Sequence, residues 1–339
     1  MRLSLLLVAL VLGAPAAAAD PCAPADGVIR LHQVEGELRV PRLSPDGRTV
    51  AFEVEDDLGI GTDLLSLEGR KAVRRLRPST MARDLLYREG DPRGESAQLS
   101  WAQPDCTYPY AYTSGRGIYV SGWSALIDEG RNVAPTWSPT TCRFIFVSSR
   151  TGRGDLYLWD DGQELQMTFD EVHSDVDPAW SPEGGRIAFV RAGERSTLMV
   201  LDVATYSSRA IFTPGPMLRQ PSFSPDGSQI AVFREGALLV VEATPGARPR
   251  VLTADGVVPP WFGGAPWTAD GAVLAVQERV DDRARLLAWA PDGSVEDLKV
   301  GTCGIRDPDR RTTPAGTTLV WVADGEAPGT RALYLRISP

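Results

Sequence analysis

The stretch that decides the fold runs from Ala179 to Val190 and reads Ala-Trp-Ser-Pro-Glu-Gly-Gly-Arg-Ile-Ala-Phe-Val. An aromatic residue ends one predicted strand, a Ser-Pro-acid-Gly turn reverses the chain, and an apolar strand follows. Proline presets the backbone angle that the second position of such a turn needs, and glycine takes the position that other side chains resist. The stretch therefore predicts a β-hairpin.

The same unit recurs along the chain at a nearly constant spacing. Strong copies are Leu43–Gly47 and Phe223–Gly227, and weaker copies begin at Trp101, Trp137, Trp267 and Thr312. We call the Ser-like position of each copy the anchor. The anchors fall at residues 44, 102, 138, 181, 224, 268 and 313, with successive separations of 58, 36, 43, 43, 44 and 45. A period in the low forties with four short strands per unit is typical of a β-propeller blade.

The strands between the turns are apolar at nearly every position, as in Ile187–Val190 and Leu198–Leu201. Strands of this kind are covered on both faces, which neighbouring blades would provide. An open ring would expose this surface, so we expect an all-β, closed β-propeller of four-stranded blades. Seven anchors predict seven blades, and the irregular spacing before residue 138 leaves six open.

The two ends of the chain have complementary gaps. The segment Val28–Val34 precedes the first anchor and reads as a lone strand, whereas the last unit stops at Ile337 after its third strand. We therefore expect the N-terminal strand to complete the last blade and close the ring.

The Trp-Ser-Pro-acid-Gly unit, together with the strand Asp155–Asp160 (Asp-Leu-Tyr-Leu-Trp-Asp), resembles the TolB-type propeller repeat of bacterial envelope proteins. The resemblance covers roughly residues 28 to 339. Related repeats form the propellers of tricorn and prolyl-oligopeptidase-type proteases. The resemblance implies the propeller and a place in the cell envelope. One role that it implies there is envelope maintenance through a peptidoglycan-associated partner. TolB proteins also carry an α/β domain before the propeller, and we expect this chain to lack it.

Residues 1–19 have the pattern of a secretory signal peptide, with Arg2, an apolar run from Leu3 to Leu12 and a small-residue ending. The apolar run is about half of the ~20 residues that span a bilayer. We therefore expect cleavage after Ala19 and no membrane span. The mature product would be a single propeller domain over residues 20–339, monomeric and periplasmic or secreted.

The charge of the chain argues against binding to nucleic acid. The formal net charge is −9, and basic residues form no long stripe. One local basic segment, Arg70–Arg77, precedes a predicted helix over Ser79–Gly90. We interpret the basic segment as an edge strand protected by charge. Docking of an acidic partner there is the alternative.

The four cysteines of an exported chain predict disulfides, with three possible pairings. Cys106 and Cys142 each follow their anchors by four residues, in equivalent turns of consecutive blades. They are the favoured pair, which leaves Cys22 with Cys303. No Cys-x-x-Cys or His-x-His spacing accompanies them, so we expect no metal and no cofactor.

The sequence contains few residues that could support catalysis. Of its two histidines, His32 lies in the predicted closing strand, and His173 lies beside Asp175 in a loop that leads into an inner strand. No Gly-x-Ser-x-Gly nucleophile elbow and no phosphate-binding loop occurs. We therefore predict a non-catalytic protein. The alternative is a channel-sited hydrolase or lyase, or a small-ligand sensor, built around His173 and Asp175.

Loops on the same face as His173 carry the candidate binding residues. The segment Val257–Pro266 places Trp261 and Phe262 between prolines and glycines, and the matching loop one blade earlier carries Met217 and Arg219. Exposed aromatic side chains dominate binding interfaces. We expect these loops to bind a protein or peptide partner in the cell envelope. Alternatively, one of the two rings plugs the channel or packs under its loop.

Overall fold

The structure is a computed structural model that describes residues 22–56, 59–68, 71–76, 98–114, 117–123, 126–215, 217–253, 256–258, 266–277 and 284–338. These residues form seven antiparallel sheets of four strands each and contain no helix. The fold is a seven-bladed β-propeller. The predicted fold class and the larger of the two predicted blade numbers are confirmed.

Each of the first three blades follows the chain from an inner to an outer strand. Blade 1 contains β2 (Glu37–Leu43), β3 (Thr49–Asp56), β4 (Gly59–Ser66) and β5 (Lys71–Leu76). Blade 2 contains β6 (Leu99–Trp101), β7 (Tyr110–Ser114), β8 (Gly117–Val120) and β9 (Leu126–Ile127). Blade 3 contains β10 (Asn132–Trp137), β11 (Arg143–Ser148), β12 (Asp155–Asp160) and β13 (Gln163–Gln166).

The next three blades repeat this order. Blade 4 contains β14 (Ser174–Trp180), β15 (Arg186–Ala192), β16 (Ser196–Asp202) and β17 (Ser207–Gly215). Blade 5 contains β18 (Leu218–Phe223), β19 (Gln229–Arg234), β20 (Ala237–Glu242) and β21 (Arg250–Thr253). Blade 6 contains β22 (Val257–Val258), β23 (Val273–Gln277), β24 (Arg285–Trp289) and β25 (Val295–Asp297).

Blade 7 combines both ends of the described chain. It contains β26 (Arg306–Thr313), β27 (Gly316–Asp324), β28 (Thr330–Ser338) and the N-terminal strand β1 (Val28–Glu35). Strand β1 pairs antiparallel with β28, for example through Ile29 and Leu335. The predicted closure of the ring by the N-terminal strand is therefore confirmed.

The hydrophobic core is a series of layers between neighbouring blades. Between blades 4 and 5, fully buried side chains from both sheets meet, among them Val190, Val200, Ile230 and Val232. Blades 7 and 1 form the same kind of layer. Burial on both faces explains why the second and third strands are almost continuously apolar.

The anchors close the turns between the first and second strands. The Ser181 hydroxyl is fully buried and accepts the backbone N–H of Arg186 at 2.9 Å, and Ser224 does the same for Gln229 at 2.9 Å. Gly184 has a φ of 72°, the left-handed conformation in which glycine is favoured. The Ser-Pro-acid-Gly motif is thus a hydrogen-bonded turn with one buried polar group.

Blade 7 departs from the predicted anchor. The register pairs Thr313 with Gly316, so this hairpin extends beyond the point where the other turns begin. In β2, β10, β14 and β18 the bulge follows the residue five positions before the anchor, and in β26 it follows Arg306. This equivalence makes Arg311, 43 residues after Thr268, the anchor of blade 7 in place of Thr313.

Both predicted disulfides are present. Cys106 joins Cys142 between the equivalent turns of blades 2 and 3, and Cys22 joins Cys303 just before blade 7. The predicted signal peptide (1–19) and helix (79–90) lie outside the described residues. Within the described part of the chain, no helix has the length and apolarity to cross a membrane.

Candidate functional site

Neighbouring first strands contact one another around the channel, as β2 does with β26, β6 with β10, β10 with β14 and β14 with β18. Each first strand runs from one face of the ring to the other. We call the face with the loops that join one blade to the next the connector face. The opposite face, which carries the anchor turns, is the turn face. Every inner strand begins at the connector face and ends at the turn face.

A left-handed residue followed by proline interrupts most inner strands at an equivalent position. The left-handed residues have φ values between 46° and 58° and are Val40, Ala134, Asp177, Gln220 and Asp307. The prolines that follow them are Pro41, Pro135, Pro178, Pro221 and Pro308. The pairing register shifts at each of these points, which identifies a β-bulge. Proline has no N–H to donate, so it suits an edge strand that faces a channel.

Side chains at the bulges link neighbouring blades. The Asp177 carboxylate accepts the backbone N–H of Gln220 at 3.0 Å, and the Asp307 carboxylate accepts that of Val40 at 3.3 Å. Each acceptor lies at the bulge of one blade and each donor at the bulge of the next. These contacts, here called bulge latches, fix the spacing of the inner strands and hence the width of the channel.

Indole groups make a second set of links nearer the turn face. Trp101, Trp180 and Trp267 donate from Nε1 to backbone oxygens of the preceding blade, namely those of Arg42 at 3.1 Å, Thr136 at 2.7 Å and Ser222 at 3.3 Å. Trp137 occupies the equivalent position in blade 3. We call these four tryptophans the indole ring set.

A cavity of about 440 Å³ occupies the turn-face end of the channel. The indole ring set, Phe223 and several prolines line it, and the charged lining residues among those that the structure describes are Arg42, Arg311, Asp177 and Asp309. The Asp309 carboxylate accepts the backbone N–H of Leu43 at 2.7 Å, so blade 7 also uses it to hold blade 1. The cavity is thus mainly apolar, with two guanidinium groups from adjacent blades.

The predicted residues His173 and Asp175 lie at the connector-face end of blade 4 and are not in the cavity lining. The Asp170 carboxylate accepts the backbone N–H groups of Val172 at 2.9 Å and His173 at 2.7 Å, and lies 3.1 Å from His173 Nδ1. Arg191 forms ion pairs with both carboxylates. Its Nη1 lies 3.0 Å from Asp170 Oδ2, and its Nε lies 2.8 Å from Asp175 Oδ1. This network fastens the connector loop 167–173 to the inner strand.

The two carboxyl groups of the network have opposite pKa shifts. Burial raises the pKa of Asp175, whose side chain is fully buried, and this exceeds the lowering effect of Arg191. Burial also acts to raise the pKa of Asp170, but hydrogen bonds from His173 and Val172 and the charge of Arg191 lower it to about 2. Asp170 is therefore ionised at neutral pH, and both oxygens of Asp175 accept hydrogen bonds from Arg191.

The same face presents large apolar side chains to solvent. Phe169 is 71% exposed, Val172 66% and Met217 52%, and the predicted Arg219 is also exposed. The structure thus places two predicted residues, Met217 and Arg219, at the connector-face end of blade 5. The connector loop before the neighbouring blade 4 carries Phe169 and Val172, which were not predicted from the sequence. The predicted Trp261 and Phe262 lie outside the described residues.

Sequence reasoning did not find the cavity residues Arg42 and Arg311. Arg311 falls at an anchor only when the register of blade 7 is known, and the sequence had placed that anchor at Thr313. Among the described residues, no group of three or more His, Cys, Asp or Glu side chains is arranged to hold a metal ion.

No family model matches the sequence. An uncharacterized protein of Agrobacterium fabrum is 30% identical over 121 residues, covering 31% of this chain and 41% of that protein, so the chain spans less than half of the relative it matches.

Several solved structures are similar in fold. The β-propeller domain of Cps50 (Swd1) from Myceliophteria thermophila has a TM-score of 0.60 at 13% identity, covering 91% of this chain and 99% of that one. A puromycin-hydrolyzing peptidase of Mycobacterium tuberculosis has a TM-score of 0.60 at 17% identity, covering 87% and 50%. TolB from Acinetobacter baumannii has a TM-score of 0.45 at 15% identity, covering 88% and 78%. The first two likenesses show the propeller fold.

Proposed function

We propose that this protein is an exported, non-catalytic binding module that grips a polypeptide partner in the cell envelope through its connector face. Propellers commonly serve as protein-interaction modules, because a rigid ring holds loops in fixed positions. The observation that carries the proposal is the exposure of Phe169, Val172 and Met217 on the connector loops before blades 4 and 5.

These side chains are exposed on a loop that is held in place. Asp170 lies between Phe169 and Val172 and is bound by two backbone N–H groups and Arg191. A second contact, from Arg153 Nε to the backbone oxygen of Glu171 at 3.1 Å, ties the loop to blade 3. A preorganised apolar surface loses little conformational entropy on binding, which favours affinity for a partner. Large exposed apolar side chains that cluster on one face are typical of interaction sites.

Export is supported by two observations. Two disulfides are present, and structural disulfides persist in oxidising compartments outside the cytoplasm. Residues 1–19 also read as a signal peptide. Fractionation of the producing cells should find the protein in the periplasm or medium, with a mature N-terminus at Asp20. Full-length protein in the cytoplasm would contradict this part of the proposal.

The alternative function, a channel-sited hydrolase or lyase or a small-ligand sensor, would use the His173 imidazole, which Asp170 orients through Nδ1. Asp175, which the sequence analysis grouped with His173, instead accepts hydrogen bonds from Arg191 through both carboxylate oxygens. A carboxylate held in this way is a poor general base, and this geometry favours the binding role.

The binding role can be tested by photo-crosslinking from the connector face. A photoreactive amino acid replaces Val172 in the exported protein, and crosslinked envelope proteins are identified by mass spectrometry. Recombinant partner is then titrated against the native protein and a Phe169→Ser, Met217→Ser double variant. The matched control, Tyr206→Ser with Val295→Ser, removes side chains of similar exposure (51% and 52%) elsewhere on the ring.

The proposal predicts one dominant crosslinked partner and at least a ~10-fold loss of its affinity in the connector-face variant alone. Equal affinity in both double variants would exclude the connector face as the interface. A His173→Gln variant that abolishes a measured activity and leaves partner binding intact would favour the alternative function.

A further inference from the structure

The anchor of blade 7 differs in kind from the other six. Those six are small and buried: Ser44, Ala102, Ser138, Ser181, Ser224 and Thr268. None of them lines the cavity at the turn face, whereas Arg311 does. In blade 7, Arg311 therefore stands where the other blades have a small residue at the turn.

Two hydrogen-bond donors in the cavity wall have no partner among the described residues. They are Nε of Arg311 and Nε1 of Trp137, and both atoms are buried. A buried donor without an acceptor is unfavourable, and more so when it is charged. An acceptor atom of a ligand would satisfy each of these two donors.

Arg42 from blade 1 adds a second guanidinium to the same cavity, next to blade 7. Its Nη1 donates to the backbone oxygen of Pro41 at 3.2 Å. Asp177 and Asp309 also line the cavity, and both accept backbone N–H groups of the next blade. Among the described lining residues the formal charges therefore balance, and such a site accommodates one negative charge more easily than the two of a phosphate dianion. A planar guanidinium matches a carboxylate through two parallel hydrogen bonds.

The remainder of the wall suits a flat apolar body. The indole ring set lies on blades 2, 3, 4 and 6, with Phe223 on blade 5 between the last two. A volume of about 440 Å³ is in the range that holds a small organic molecule or a short peptide end.

We propose that the turn-face cavity binds a monoanionic carboxylate that carries a ring or other flat apolar group, with Arg311 holding the carboxylate. The ring packs against the indole ring set. This site is at the opposite end of the channel from the proposed partner surface and does not depend on it. The ligand is either a free small carboxylic acid or the C-terminal residue of a peptide, since both present the same chemistry.

The test is a matched-pair screen by ligand-observed NMR on the native, disulfide-bonded protein. The panel contains aromatic and proline-containing acids such as 3-phenylpropionate, short peptides that end in free phenylalanine or proline, and the primary amide of every member. Hits are titrated calorimetrically against the native protein, Arg311→Gln and Arg310→Gln. Arg310 is the matched control because it precedes Arg311 on the same strand and does not line the cavity.

The proposal predicts that free acids bind, that their amides bind at least ~10-fold more weakly, and that Arg311→Gln loses ~10- to 100-fold in affinity while Arg310→Gln keeps it. A preference for peptides over small acids, or the reverse, identifies the source of the ligand. Equal binding of acids and amides, unchanged affinity in Arg311→Gln, or no bound acid at ~1 mM would overturn it.

Thermal denaturation gives a second readout that does not need the ligand. Because Arg311 has an orphaned buried donor, Arg311→Gln should melt at the same temperature as the empty native protein or higher. A large drop in melting temperature would show that Arg311 is a structural residue and would overturn the proposal.

Discussion

Blade 4 and blade 7 have one sheet topology but differ in how it is completed. Blade 4 is continuous in the chain from β14 to β17, whereas blade 7 borrows its fourth strand, β1, from the other end. At the turn, blade 4 has Trp180 and Ser181, and blade 7 has Arg310 and Arg311. Both blades keep the bulge, as Asp177-Pro178 and Asp307-Pro308.

This comparison separates what the fold requires from what it permits. The bulge latches position the inner strands of both blades, and both blades keep the Asp-Pro sequence at the bulge. The turn only has to reverse the chain, and blade 7 does this with a longer hairpin. A turn that does not require the Ser-Pro-acid-Gly sequence can place charged side chains in the channel.

Exchanging the anchors of blades 4 and 7 should have the largest effect on stability. Ser181→Arg in blade 4 should lower the free energy of unfolding by about 5 kcal/mol or more, because it puts a charge in a fully buried site and removes the turn hydrogen bonds. The reverse change in blade 7, Arg311→Ser, should be neutral or stabilising. Urea denaturation measures both, and Ser181→Ala separates the lost hydrogen bond from the added charge.

The two disulfides stabilise different parts of the ring. Cys22–Cys303 supports the closure at blade 7, and Cys106–Cys142 joins blades 2 and 3. Removing Cys22–Cys303 (as Cys22→Ser, Cys303→Ser) or Cys106–Cys142 (likewise) should each destabilise the ring by about 2 to 5 kcal/mol. The first bridge joins residues 281 apart and the second 36 apart, so the chain-entropy model gives the first an advantage of about 1.8 kcal/mol. Equal losses in chemical denaturation would mean that the longer loop closed by Cys22–Cys303 gives that bridge no advantage.

The bulge latches provide a matched pair of smaller changes. Asp177→Ala and Asp307→Ala each remove a charged acceptor from a backbone N–H, a loss of about 1.5 to 3 kcal/mol. We expect Asp307→Ala to have the larger effect, because Asp307 is almost fully buried and its latch joins blade 7 to blade 1. The midpoints of urea denaturation test this order, and the reverse order would show that closure does not depend on the latch.

The smallest expected effect concerns the connector loops that lead into the two blades. An ion pair holds the loop before blade 4, and the Cys22–Cys303 disulfide holds the loop before blade 7. Because the pKa of Asp170 is lowered to about 2 from its ordinary 3.8, its ionised form stabilises the fold above pH 4. That contribution is lost as the pH falls from about 4 to 2.

Hydrogen exchange can distinguish the two loops. Protection of the Val172 and His173 amides should be constant from pH 7 to pH 4 and should fall below it, after correction for intrinsic rates. In Asp170→Ala it should be low throughout. Reduction of the disulfides at neutral pH should leave these two amides protected. Protection that persists unchanged at pH 2 would contradict the assigned role of Asp170.

The architecture could be predicted from the sequence because the motifs that indicate it recur along the chain. The Ser-Pro-acid-Gly turns and both-face apolar strands recur often enough to define a period, and the complementary gaps at the ends predicted the closure by β1. The disulfide partners followed from equivalent positions in the repeat. These features depend on local backbone chemistry, which a sequence records directly.

The candidate sites could be predicted only in part. Met217 was found because its loop matches another loop by position, whereas the exposure of Phe169 and Val172 depends on how Asp170 and Arg191 hold their loop. Arg311 was missed because a two-residue difference in hairpin length moved the apparent anchor to Thr313. Sequence spacing cannot distinguish a shifted turn from a shifted repeat when the turn residues themselves have changed.

The pairing of β1 with β28 has a consequence for the order of events during synthesis. Val28 pairs with Arg336, so the first strand of the ring must wait for about 300 residues before its partner exists. At ~5 to 20 residues per second, that interval lasts on the order of 15 to 60 seconds. During it, a partly grown ring has an unpaired strand and an uncovered apolar layer at its seam, both open to proteases and to other chains. We therefore expect the chain to gain resistance to proteases only when β28 becomes available to pair with β1.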